Sequence, residues 1–339
     1  MYPKVPTVVA AITICLATFQ ASAATFDAVY VFGDSTVDTG WFRYQPLPTN
    51  PTLNALAAAS LADGGRIPDT PFGPGAPQVL AAYYGLTANP ADNGAGGTNY
   101  AASGAQNNAN FISPFAPSTV SQINTYLAAH SMSADPSSLY LFSSGGNDIK
   151  YASTLTGSAR QAWVTTAASD AANALLKLQN AGAKTIIVSN GYVAGTGAPS
   201  TLFTTYYSAL FSDLASMSVN VRIADVRGLQ ASIFADPGAH GFTSISNADV
   251  PGGTALINPD PSLISNSWAL YGTTALLRSS PQTTFWADDE HWAAGAQALE
   301  GDLFIQVANA PLPAALPLFA TGLVGLGLLG WRRKKKAAA

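Results

Sequence analysis

The chain has 339 residues, only 10% of them charged, with 15 basic and 19 acidic groups and a net charge of −4. Lys4 and the run from Arg332 to Lys336 hold six of the basic groups, so the segment between them carries nine against nineteen, a net charge near −10. That balance disfavours nucleic acid and anionic lipid surfaces as partners. The single cysteine, Cys15, lies in an N-terminal apolar segment, so the rest of the chain has no thiol or disulfide and packing alone must hold it.

In chain order, residues 1–23 read as a secretory signal. Lys4 precedes an apolar run from Val8 to about Phe19, and the small residues Ala21 and Ala23 lie before the cut. Thr13 and Ile14 ahead of Cys15 argue against lipidation. Residues 28–32 (AVYVF) form a short strand that runs out into Gly33, Asp34 and Ser35. From residue 41 to about 97 the chain is rich in Pro, Gly and Asn, which predicts loops with short helices at 53–61 and 77–84.

A strand is expected at 138–144, followed at once by Gly145-Gly146-Asn147-Asp148. A helix at about 159–180 has apolar Trp163, Ala167, Ala171, Leu175 and Leu178 at helical spacing and stops at Gly182. The run 185–189 (TIIVS) is typical of a buried parallel strand. A helix at 202–217, a strand at 220–225 and a closing helix at 293–307 complete the pattern. Alternating strands and helices predict one α/β domain over 24–308, a three-layer α/β/α sandwich around a mainly parallel sheet. Chemistry in such sheets gathers at the carboxyl ends of the strands, where the Ser35 and Asn147 motifs both fall.

Serine needs a base to become a nucleophile, and the histidines outside the chemistry-poor ends are His130, His240 and His291. His130 follows a helical stretch and reads as a solvated helix end; His240 lies in a Gly- and Pro-rich loop. His291 alone has a carboxylate three residues earlier, Asp288, near enough to fix the ring tautomer. Asp289 and Glu290 are rival orienting groups by proximity. Activity is expected to fall as acid charges the imidazole. Asp34, Asp38 and Asp148 read as carboxylates that hold loops through backbone N–H groups.

The order of these motifs resembles the GDSL, or SGNH, family of lipases and acylhydrolases. VFGDSTVDTG matches its nucleophile block, with Thr36 in place of the usual Leu. NYAASGAQ matches the glycine block and GGND the asparagine block; DDEH matches the last block, with Trp292 replacing the common proline. The resemblance implies a flavodoxin-like fold and the triad Ser35, Asp288 and His291. It also implies an oxyanion hole from the Ser35 N–H, the Gly104 N–H and the Asn147 amide. Ser103 stands where the family often has Gly, so Ser103 and Gly104 both remain open for that donor. No cofactor or metal is implied. The expected activity is that of a serine esterase or lipase acting on a small ester or a lipid. Phe234, Phe242, Trp268 and Tyr271 are candidate walls of an acyl pocket. The alternatives are an exopolysaccharide O-acetylesterase and a non-catalytic matrix-binding surface protein on a hydrolase scaffold.

Residues 309–339 form a separate unit. About 18 apolar residues from 314 to 331 precede five basic ones, near the minimum for a membrane span with its basic end on the cytoplasmic side. This tail resembles the PEP-CTERM sorting signal in its VPLPA variant, with Ala310 in place of Val. That resemblance implies export in a Gram-negative bacterium, transient anchoring in the inner membrane, processing by an exosortase and association with exopolysaccharide or the cell surface. A permanent single-span anchor is the plainer alternative.

Overall fold

The computed structural model describes residues 25–41, 74–92, 94–112, 116–192, 200–246, 282–286 and 290–310. The expected signal (1–23), the helix at 53–61, Trp268, Tyr271, Asp288, Asp289 and the tail from residue 311 lie outside the described residues. Among the described residues no helix is long and apolar enough to cross a membrane.

Four parallel strands form the centre: β1 (Val29–Gly33), β2 (Leu139–Ser143), β3 (Thr185–Ser189) and β4 (Arg222–Ala224), in the order β1-β2-β3-β4. The pleat sends alternate side chains to opposite faces, and both faces are covered, which is why these strands are almost wholly apolar. Tyr140, Phe142, Ile186 and Val188 face one core with Phe32, while Val29, Val31, Leu139, Leu141 and Ile187 face the other.

The connections explain the two layers of helices. Helices α2 (Thr119–Ala129), α4 (Gly157–Asn180) and α5 (Ser200–Ser216) carry the chain from β1 to β2, β2 to β3 and β3 to β4. All three bury their apolar stripes in the first core, through Ile123, Leu127, Ala171, Leu175, Tyr206 and Leu210 among others. Crossovers of one hand between strands taken in sequence must share one face. The second face is closed by α1 (Ala76–Tyr83), α6 (Val226–Ala235) and α7 (Ala294–Asn309), through Leu80, Ile233 and Phe304. Gln297 of α7 accepts from the Ala76 N–H at 2.9 Å, tying the start of α1 to the last helix.

A ragged fifth member lies along the free edge of β1. The Val31 N–H donates to Thr98 O, and the Tyr100 and Ala102 N–H groups donate to Val31 O and Gly33 O, at 3.1, 2.8 and 3.1 Å. Its bridge to β1, Val31 with Asn99, is parallel. Counted with it, the sheet has the order 2-1-3-4-5, the flavodoxin-like order, whose direction reverses at β1. The expected three-layer α/β/α fold is therefore the observed one. Ser35 sits at the carboxyl end of β1, at that reversal.

Candidate active site

Beyond β1 the Asp34 N–H still pairs with Ser143 O at 3.1 Å, and the chain then turns. The N–H groups of Val37 and Asp38 donate back to Asp34 O, making one helical turn that carries Ser35. The Asp34 carboxylate fixes the turn by accepting from the Thr36 N–H at 3.0 Å and the Thr36 hydroxyl at 2.8 Å. Gln122 of α2 clamps the base of the turn: its Oε1 accepts from the Gly33 N–H and its Nε2 donates to Gly33 O, at 2.8 and 2.9 Å.

His291 Nε2 lies 2.7 Å from Ser35 Oγ, with both residues buried. The other two histidines are engaged elsewhere. His130 caps α2 with Nδ1 against Tyr126 O at 2.7 Å and Nε2 against the Tyr30 hydroxyl at 3.2 Å, near the amino ends of the strands. His240 faces the Ser232 hydroxyl at 3.1 Å.

The His291 loop is held by aromatic packing that no sequence motif predicts. Trp292 is fully buried, stacked on Tyr192 with ring centroids 4.7 Å apart and against Phe285 at 4.9 Å. The Ala293 N–H donates to Phe285 O at 2.8 Å, and Trp286 Nε1 donates to Ile245 O at 3.0 Å. Trp292 in place of proline thus anchors the loop. Glu290 forms an ion pair with Lys150 of α3 (Gly146–Thr154), the helix that begins beside the serine. Phe242 is a buried member of the second core, not a pocket wall, while Phe234 is 39% exposed and leans on Phe285 and Trp286.

The glycine loop follows the ragged edge segment. Its turn is closed by the Ala105 N–H to Ala102 O, with Gly104 in third place at φ +83°, the conformation a type II turn requires there. Ser103 donates both its N–H (2.8 Å) and its hydroxyl (2.7 Å) to Asp38 Oδ2. The Gly104 N–H donates to nothing among the described residues.

Helix α3 grips the same loop. Asn147 Nδ2 donates to Ala105 O at 3.0 Å, leaving the second hydrogen of its amide for another acceptor. Asp148 Oδ2 accepts from the Asn107 N–H at 3.0 Å, and Asn107 Nδ2 reaches Ala167 O and the Tyr206 hydroxyl. Asp34, Asp38 and Asp148 thus all bind backbone N–H groups.

Asp148 stands in the first turn of α3, where the helix dipole favours a negative charge, but that effect is at most about 2 kcal/mol. Complete burial is the larger effect and pushes its carboxyl up to about 8, with the charges of Asp34 and Asp170 adding to the rise and the Asn107 N–H opposing it. The folded protein therefore holds this proton over a range in which the unfolded chain has lost it. Stability is lost as pH rises from about 4 to about 8. Asp148→Asn keeps an acceptor for Asn107 and cannot ionise. Melting temperature should fall more steeply with pH in the wild type than in the variant, and parallel curves by calorimetry would show that Asp148 ionises normally.

Comparison with known proteins gives one family. The model described as GDSL-like lipase/acylhydrolase matches residues 29–234, more than half of the chain, from the first residue of β1 to near the end of α6. Ser35, Gly104 and Asn147 fall inside that match, and His291 falls beyond it. No curated protein matches the chain. Among solved structures, a "putative GDSL-like lipase" from Parabacteroides merdae ATCC 43184 aligns over 84% of this chain and 96% of its own, at 14% identity and a TM-score of 0.38.

Proposed function

Because the chain belongs to the GDSL-like lipase/acylhydrolase family, a family of hydrolases acting on esters, we propose that it is an exported serine esterase working through an acyl-enzyme on Ser35. The observation that carries this reading is the 2.7 Å approach of His291 Nε2 to Ser35 Oγ at the carboxyl end of a parallel sheet. Ser35 Oγ attacks the ester carbonyl carbon as its proton passes to His291 Nε2. The carbonyl oxygen becomes an oxyanion received by the N–H groups of Ser35 and Gly104 and by the Asn147 amide. Collapse expels the alcohol, which takes the proton from His291. Water then attacks the acyl carbon in the same geometry and releases the carboxylic acid. Asp288 is assigned the orienting carboxylate of the triad from its place in the DDEH motif.

Two features support Gly104 as the loop donor: its N–H meets no acceptor among the described residues, and that of Ser103 is taken by Asp38. The substrate class we propose is a fatty-acyl ester. Phe111, 61% exposed, stacks on Tyr151 at 4.8 Å, and Tyr151 lies one turn of α3 beyond Asn147, so apolar surface extends from the oxyanion side of the site. The same reading takes 1–23 as the export signal, 24–308 as the catalytic domain and 309–339 as a sorting segment for exosortase-type processing at the cell envelope.

The test is labelling of the full chain with a fluorophosphonate probe beside Ser35→Ala. Labelling in the wild type alone is expected, and a folded wild-type protein that resists the probe would remove the nucleophile. Acetyl and long-chain p-nitrophenyl esters, compared by kcat/KM, then separate an acyl-chain esterase from a deacetylase.

A further inference from the structure

We propose that Asp38 is a positioning residue that selects Gly104 as the oxyanion donor of the glycine loop, by consuming the neighbouring Ser103 N–H and locking the loop's turn to the turn that carries the nucleophile. This rests on the esterase reading above.

A four-residue turn uses the N–H of its last residue to close the ring and leaves the two central N–H groups unused. In the turn from Ala102 to Ala105, these belong to Ser103 and Gly104. Either could meet a developing oxyanion. Asp38 removes one of them. Its Oδ2 takes the Ser103 N–H at 2.8 Å and the Ser103 hydroxyl at 2.7 Å. Its Oδ1 takes the N–H groups of Gly40 and Trp41 at 2.7 and 2.8 Å. Four donors therefore converge on one carboxylate that is only 2% exposed.

The other end of Asp38 is tied to the serine. The Asp38 N–H donates to Asp34 O at 3.0 Å, the bond that closes the turn holding Ser35. One residue thus belongs to the nucleophile turn through its backbone and to the glycine loop through its side chain. The distance from Ser35 Oγ to the Gly104 N–H follows from that pair of attachments. A hydrogen-bond donor aimed in advance is what oxyanion stabilisation requires, because reorientation during the reaction would cost part of the gain.

Asparagine cannot replace this carboxylate. With four donors converging, an amide must turn its NH₂ toward either the Ser103 pair or the Gly40 and Trp41 pair, and donor then faces donor. Asp38→Asn in the full chain should lower kcat by about 10- to 100-fold while KM stays within about twofold, the pattern of an interaction made only in the transition state. The direct readout is the Gly104 amide resonance in protein labelled with ¹⁵N-glycine, which should shift and exchange faster in the variant.

Ser103→Ala keeps the N–H bond and deletes the hydroxyl bond, and should give a loss of about fivefold with a smaller shift of the same resonance. It decides the matter if Asp38→Asn does not fold. A Gly104 resonance that stays in place in the folded variants, or a loss confined to KM, overturns the proposal. A wild-type protein without turnover on any ester would instead remove the esterase reading, and the resonance alone would then decide the role of Asp38.

Discussion

Ser35→Ala lowers kcat/KM for an aryl ester by roughly 10⁴-fold or more, His291→Gln does nearly the same, and the double variant is little worse than either. The expectation follows from the 2.7 Å contact between the two side chains. Without the imidazole the hydroxyl keeps its proton, and without the hydroxyl the imidazole has nothing to activate, so the two act as one unit. Glutamine fills most of the space of the buried ring, so the melting temperature should move by only a few degrees. Steady-state kinetics beside a thermal melt checks both statements. Losses that multiply in the double variant would mean that Ser35 and His291 work independently, and the acyl-enzyme route would fall.

The second large effect is on stability. Gly145 precedes α3 with φ at +115°, and a Cβ there would lie 2.4 Å from the buried Tyr206 ring. Alanine must both adopt a left-handed backbone and displace an aromatic ring in a close-packed core. Together these should cost about 2–5 kcal/mol. The Tyr206 hydroxyl holds Asn107, whose N–H is held by Asp148, so the disturbance runs straight into the glycine loop. Gly146→Ala is the contrast: its Cβ would meet only Asp34 Oδ2, at 3.7 Å, and should leave unfolding in urea almost unchanged. Equal midpoints for the two variants would refute this account of Gly145.

Much of the fold was legible because a parallel sheet buried on both faces leaves a plain trace. The strands at 185–189 and 139–143 are unbroken apolar runs, and α4 shows its stripe of Ala and Leu at helical spacing. Helix α3 was not foreseen. Its sequence GNDIKYAST is polar and glycine-led, and only the contacts of Asn147 and Asp148 with the loop at 105–107 show what it does. Helix α6, VRGLQASIFA, is not among the expected elements, and its Phe234 is read only as a candidate pocket wall; its Asp225 cap, accepting from the Gly228 N–H, is the available signal. The edge segment at 98–102 reads as loop because its pairing partner is β1, some 70 residues earlier in the chain. Motif residues were visible as chemistry, whereas the residues that aim them act through tertiary contacts that no local pattern records. Gln122 clamping Gly33 and Trp292 packed against Tyr192 and Phe285 are the clearest cases.

Ser35 and His291 stand 256 residues apart, and the base arrives on the loop that leads into the last helix of the sheet's second face. A growing chain therefore carries its serine, its glycine loop and its asparagine long before the segment that brings His291 is made. Until α7 docks on α1, Ser35 lacks its contact with His291, so the esterase reading expects a partly made or clipped molecule to be inert. Closing so long a loop is entropically costly and slow relative to local pairing. On the esterase reading, turnover therefore reports that the two ends of the domain have been joined.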